Sequence, residues 1–224
     1  MANSTMSQVR QPKTSTRAAK AVDTNVANRR DELVRVAARL FREKGFEGTT
    51  VRDIAAAVGM RSGSPFYHFA NKYELLMTVM EEGLSMGLAR IRAVLSATSL
   101  DPMEQLERLI RTQYAILHEA GNDFIPVILY EWRSLPDQYK RHVIELKDQY
   151  DGLWQPTLER LHAQNLLRAD PKIARLLILG AINYSATWYK PARGKGRAGL
   201  SLDLDALSAQ TLALVTTTST KAKL

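Results

Sequence analysis

An all-α fold is what this sequence predicts, and three observations carry the prediction. Apolar residues recur at helical spacing from Leu33 onward. Helix-start signals punctuate the chain: Asp101-Pro102 and Asp170-Pro171 each set a capping side chain before a proline at the first helical position. No stretch shows the period-two alternation and turn punctuation of a sheet.

The elements follow in order. Residues 1–27, rich in Ser, Thr, Ala, Lys and Arg without apolar periodicity, read as a flexible basic extension. Structure is expected from Asn28. Leu33, Val36, Ala37, Leu40 and Phe41 form one helical stripe that Gly45 stops. Thr50 and Asp53 have capping-box spacing for a short second helix ended by Gly59, and a third short helix should cover Gly63 to Phe69. Asn71 with Glu74 caps a fourth, running to Ser96. Later helices are expected from Pro102, over Phe124 to Trp132, over Asp137 to Gln164 as one long helix, from Pro171 to Trp188, and from a Ser201 cap to Val215.

Composition narrows the function. Of 224 residues 45% are hydrophobic and 24% charged, enough to bury a substantial core. Cysteine is absent, which excludes disulfides, thiolate metal sites and Cys nucleophiles and fits a cytoplasmic location. No apolar run approaches a membrane span, and the N-terminus has no signal-peptide core. The net charge of +8 sits at the ends: residues 1–30 carry +5, 31–78 carry +1, 79–189 carry −2 and 190–224 carry +4. A basic arm can steer toward DNA, although solvated basic tails are common.

Catalytic patterns fail. Gly194 to Gly199 satisfies a bare GxGxxG, but it follows a helix, with no βαβ unit to hold a dinucleotide. His68, His118, His142 and His162 lie in separate helices without metal-ligand spacing. No cofactor, metal or enzyme activity is expected.

The informative region runs from Arg29 to Val79. A short helix carrying Ala55, a glycine turn at Gly59 and a second short helix make a helix-turn-helix, whose second member offers hydroxyls and aromatic donors to a major groove. Phe41, Gly45, Thr49-Thr50-Val51, Asp53-Ile54-Ala55, Gly59-Met60, Ser62-Gly63-Ser64, Phe66-Tyr67-His68-Phe69 and Lys72 resemble the N-terminal signature of TetR-family transcriptional regulators. The resemblance implies that Thr50, Arg52, Tyr67, His68 and Lys72 touch the sugar-phosphate backbone, with Arg29 and Arg30 as auxiliary contacts. Ser62, Gly63 and Ser64 would face bases, and Phe66 divides evenly between DNA contact and core. Where the family usually has leucine this chain has Pro65, which lacks an amide hydrogen and therefore belongs in the first helical turn. Ser62 or Ser64 should then cap the recognition helix.

That resemblance divides the chain into the extension 1–27, a DNA-binding domain 28–78, a ligand-binding and dimerisation domain 79–216 and a tail 217–224. Leu176, Leu177, Leu179, Gly180, Ile182 and Trp188, with Leu207 and Leu212, are the expected faces of a twofold dimer. Tyr114, His118, Phe124, Tyr130, Trp132, Tyr150, Trp154 and Asn183 are the candidate walls of an effector pocket. The chain's later part is similar to a subgroup with acyl-CoA-sensing members. The expected partners are an inverted-repeat operator in double-stranded DNA, a second copy of the chain and a small apolar or amphipathic effector, an acyl-CoA among the candidates. The function so implied is a homodimeric repressor released by its effector. A constitutive, architectural DNA-binding dimer is the alternative.

Overall fold

The computed structural model describes residues 15–61, 63–96, 100–119, 121–189 and 203–217, with side chains from 28 onward except that of Ser64. Nine α-helices cover most of them: α1 Ser15–Lys44, α2 Val51–Ala57, α3 Lys72–Leu95, α4 Pro102–His118, α5 Phe124–Tyr130, α6 Asp137–Gly152, α7 Gln155–Ala163, α8 Pro171–Trp188 and α9 Leu204–Val215. Among the described residues the sole β-type pairing is an isolated bridge between Leu167 and Thr216. Among the described residues no helix is long and apolar enough to cross a membrane.

Local chemistry accounts for the boundaries. The side chain of Asn71 accepts from the Glu74 amide at the start of α3, Asp101 from Met103 before α4, and Asp170 from Lys172 before α8. Four expectations are corrected. First, α1 reaches back to Ser15 rather than starting near Asn28, because Ala18, Ala19 and Ala21 supply helix propensity that needs no apolar period. Second, the long helix over 137–164 is two. Pro156 occupies the first turn of α7 and cannot continue α6, so the chain breaks at Leu153 and Trp154. Third, α5 ends at Tyr130 and gives way to a 3₁₀ turn over Trp132–Ser134. Fourth, the cap of α9 is Asp203, whose carboxylate accepts from Ala206; Ser201 lies outside the described residues.

Two apolar cores share α3 as a spine. The first gathers Leu33, Ala37, Phe41, Phe46, Ile54, Phe69 and the start of α3. It is completed by Val127 of α5, by Leu135 just before α6 and by Val143 of α6. The N-terminal unit is therefore not sealed by residues 28–78 alone. The second core begins at Leu88 and Ile91 of α3 and takes in α4, Tyr150, Trp154, α7, α8 and α9. Gly83 and Gly87 make this arrangement possible: a Cβ on Gly83 would stand 2.9 Å from the Phe124 Cβ, and one on Gly87 2.8 Å from the Tyr150 ring.

Candidate nucleic-acid interface

Two glycine turns, one before α2 and one after it, frame the first part of the site. Gly45 ends α1 with φ +76°, its amide donating to the Phe41 carbonyl at 2.9 Å. Thr50 caps α2 reciprocally: its hydroxyl accepts from the Asp53 amide at 3.1 Å, while the Asp53 carboxylate accepts from the Thr50 amide at 2.9 Å and hydroxyl at 2.7 Å. Those bonds, the hydroxyl's first, hold the exposed Asp53 carboxyl below the ordinary range. Ala55 is fully buried, Gly59 turns the chain with φ +67°, and the Met60 amide closes the turn on the Ala55 carbonyl at 2.8 Å.

Next comes a single 3₁₀ turn, Ser64–Tyr67, shorter than the helix expected over Gly63 to Phe69. Its cap position is Gly63, which has no side chain to cap with. Ser62 and the Ser64 side chain lie outside the described residues. Pro65 does sit in the first turn, and it is buried. The Phe66 amide bonds Gly63 at 3.3 Å, and the Phe69 amide bonds Pro65 at 3.0 Å. A run without a donor at position 65 closes as one tight turn.

This turn presents aromatics to solvent. Phe66 is 55% exposed and Tyr67 90% exposed, whereas Phe69 is buried at 4% beneath the Arg30 guanidinium, 5.1 Å above its ring. His68 is half-buried; Arg52 and Gly63 are exposed. Arg29 pairs with Glu32 at 3.0 Å on the surface. Lys72 is more committed: its ammonium donates to the Phe46 carbonyl at 2.8 Å and the Thr49 carbonyl at 3.0 Å and lies 3.9 Å above the Phe46 ring. One of its three donors remains. The motif reading passed over Arg61, exposed between the glycine turn and the 3₁₀ turn; its signal was only that a cation stands there.

The candidate effector residues divide between the two cores. Tyr114, Tyr150 and Trp154 are buried in the second, Tyr114 bonded to the Thr211 hydroxyl at 2.9 Å and Tyr150 to Gln113. His118 bonds the Ser185 hydroxyl at 2.7 Å and meets Tyr189 edge-on. Phe124 and Trp132 pack on the first core, Tyr130 is 54% exposed and Asn183 is half-buried. Of the eight, Phe124 also lines an open groove of about 310 Å³, with Asp31, Val34, Arg35 and Glu82.

On α8 the expected dimer face separates likewise. Leu176, Leu177, Gly180 and Trp188 are exposed, together with Ile173 and Tyr184. Ile182 of α8 and Leu207 of α9 are corrected: both are buried inside the protomer, because each apolar helix must fill its own core first. Leu179 and Leu212 are half-buried against that core. The basic loop containing Gly194 to Gly199 lies outside the described residues. Among those described, no group of three His, Asp or Glu could hold a metal ion.

A family model described as bacterial regulatory proteins of the tetR family matches residues 33–79, and a tetracyclin repressor-like C-terminal domain model matches 99–198. The HTH-type transcriptional repressor KstR2 of Mycobacterium tuberculosis is 32% identical over 172 residues, covering 74% of this chain and 84% of its own. The structure of that ketosteroid transcriptional regulator superposes with a TM-score of 0.69 at 27% identity, over 84% of this chain and 95% of its own. The crystal structure of the superantigen PfiT is 38% identical with a TM-score of 0.71, over 84% and 96%. AibR, crystallised with isovaleryl coenzyme A and operator DNA, shares the fold with a TM-score of 0.74 at 23% identity, over 83% and 97%.

Proposed function

The chain belongs to the TetR family of bacterial regulatory proteins, DNA-binding transcriptional regulators, and on that premise we propose a homodimeric repressor that a small effector releases from its operator. One observation carries the reading: Phe66 and Tyr67 stand exposed side by side on a single turn framed by two capped helix starts. Two adjacent exposed aromatics on the turn of a helix-turn-helix form a surface that a bound duplex can cover. We assign Arg29, Arg30, Thr50, Arg52, Tyr67, His68 and the free donor of Lys72 to phosphates, and Ser62, Gly63, Ser64 and Phe66 to base edges. The DNA-binding unit is 28–78, and 79–216 senses and dimerises.

The exposed α8 face of Leu176, Leu177, Gly180 and Trp188 supports a twofold contact. For the effector we carry forward the acyl-CoA class, supported by the ligand of AibR. The buried, internally bonded state of Tyr114 and Tyr150 favours the second reading, a constitutive dimer. Duplexes selected from a random pool test both. The expected site is an inverted repeat with half-site centres about 34 to 36 Å apart, or a multiple. Isovaleryl and longer acyl-CoA thioesters should weaken its binding. A selected site without symmetry refutes the dimeric reading, and affinity indifferent to acyl-CoA leaves the constitutive one.

A further inference from the structure

A single 3₁₀ turn of four residues has too few bonds of its own to fix an orientation. What precedes and follows it must do so. Before it stands the start of α2, which the α1–α2 turn positions through Thr49, Thr50 and Phe46. After it stands Asn71, the cap of α3, two residues beyond the buried Phe69.

Tyr139, in the first turn of α6, reaches both supports. Asn71 Oδ1 accepts from the Glu74 amide at 3.0 Å, which fixes the side chain's sense, and its Nδ2 donates to the Tyr139 hydroxyl at 2.9 Å. The Tyr139 ring stacks on Tyr73 with centroids 6.4 Å apart and planes 21° apart. Tyr73 meets Phe46 at 5.2 Å, and Phe46 meets Phe41 at 5.4 Å. A row of four rings thus runs from α6 past the start of α3 and the turn before α2 to α1, and Tyr139 is the ring that α6 contributes. The other end of α6 carries Tyr150, seated on Gly87 of α3 and bonded to Gln113 of α4. A helix of 16 residues, about 24 Å long, thereby joins the interior of the larger unit to the frame of the recognition turn.

We propose that Tyr139 is a positioning residue for DNA recognition: its bond to Asn71 and its stack on Tyr73 hold the recognition turn at the angle that fits operator DNA. The inference rests on the regulator reading above. A shift of α6 by an ångström takes the 2.9 Å bond beyond hydrogen-bonding range and lowers the population of the competent orientation.

The test uses the full chain with Tyr139→Phe, which removes only the hydroxyl, and Asn71→Ser, which keeps a cap oxygen but cannot reach α6. Each should weaken binding to the selected operator about fivefold, the worth of one net hydrogen bond, and leave affinity for unrelated duplex unchanged. The double variant should lose no more than either single. Amide exchange at Phe66, His68 and Phe69, measured without DNA, should rise in both variants. Unchanged operator affinity in Tyr139→Phe, additive losses, or an equal loss on unrelated duplex would overturn the assignment. Wild-type protein that selects no duplex overturns the regulator reading and this assignment with it. Wild-type selection with an indifferent Tyr139→Phe overturns this assignment alone.

Discussion

Acidification should destabilise this protein through His118, and the geometry gives the sign. The Ser185 hydroxyl donates its one hydrogen to the Ile182 carbonyl, so the 2.7 Å contact with His118 requires the imidazole to donate from Nε2. Nδ1 is then the position that must take the second proton. Burial first, and the Arg42 guanidinium second, oppose the charged ring and depress its pKa from 6.5 to about 4. The unfolded chain binds a proton near 6.5 that the folded one refuses, so stability is full above pH 6.5 and falls between there and pH 4. At 1.36 kcal/mol per unit the shift has a ceiling of ~3.4 kcal/mol, and solvent screening of a half-buried ring reduces this to ~1–2 kcal/mol. Urea unfolding at fixed protein concentration, at pH 7 and pH 4.5, measures it. His118→Gln keeps an amide donor and does not titrate, so the variant should lose ~1–2 kcal/mol less than wild type over that interval. Carboxylates elsewhere cancel in the comparison. Equal losses in the two proteins, or an NMR titration of His118 with its midpoint above 6, would refute the argument.

Other substitutions probe the remaining links. Leu176→Asp with Leu177→Asp removes two side chains 59% and 50% exposed on α8; at ~1 kcal/mol each, doubled by the twofold axis, the dimer should weaken more than ~100-fold by light scattering. Gly87→Ala drives a Cβ to 2.8 Å from the Tyr150 ring and should cost ~1–3 kcal/mol in urea unfolding. Arg52→Ala, at an exposed side chain, should weaken binding to all duplexes alike and lower the salt slope by ~1 per half-site without moving the melting temperature. Lys72→Ala should do the same and also lower the melting temperature, because its ammonium holds the Phe46 and Thr49 carbonyls.

Where a helix begins was legible when one side chain decides it: Thr50, Asn71, Asp101 and Asp170 each announce a cap within three residues. Where a helix stops was less so. The apolar period runs on through Leu153 and Leu158, and only Pro156, standing at a helix start rather than inside one, marks the break. Periodicity also showed that α8 is apolar all round without showing which stripe turns inward; Ala174, Ile178 and Ile182 do, and Ile173, Leu176 and Leu177 do not. The candidate interface was legible as a motif because its spacing is local. The partnership of Asn71 with Tyr139 is not, since 68 residues separate them and neither carries a local sign of the other.

The shortness of the recognition turn and the exposed stripe of α8 bear on one another. A turn of four residues with Pro65 facing inward leaves few side chains to read bases, and each well-placed base contact is worth ~1–3 kcal/mol of discrimination. At ~1 kcal/mol each, four contacts from one such unit reach only the lower end of the ~4–10 kcal/mol by which specific binding exceeds non-specific. A second unit, held by a rigid contact, adds its contacts without a second cost of association. The apolar face from Ile173 to Trp188 is where that contact can form, since leaving it wet would expose an isoleucine, two leucines, a tyrosine and a tryptophan along one helix. Dimerisation is thus the physical complement of a reader reduced to one turn. Leu176→Asp, far from Tyr67 in sequence, should therefore reduce operator affinity by more than loss of Tyr67 itself.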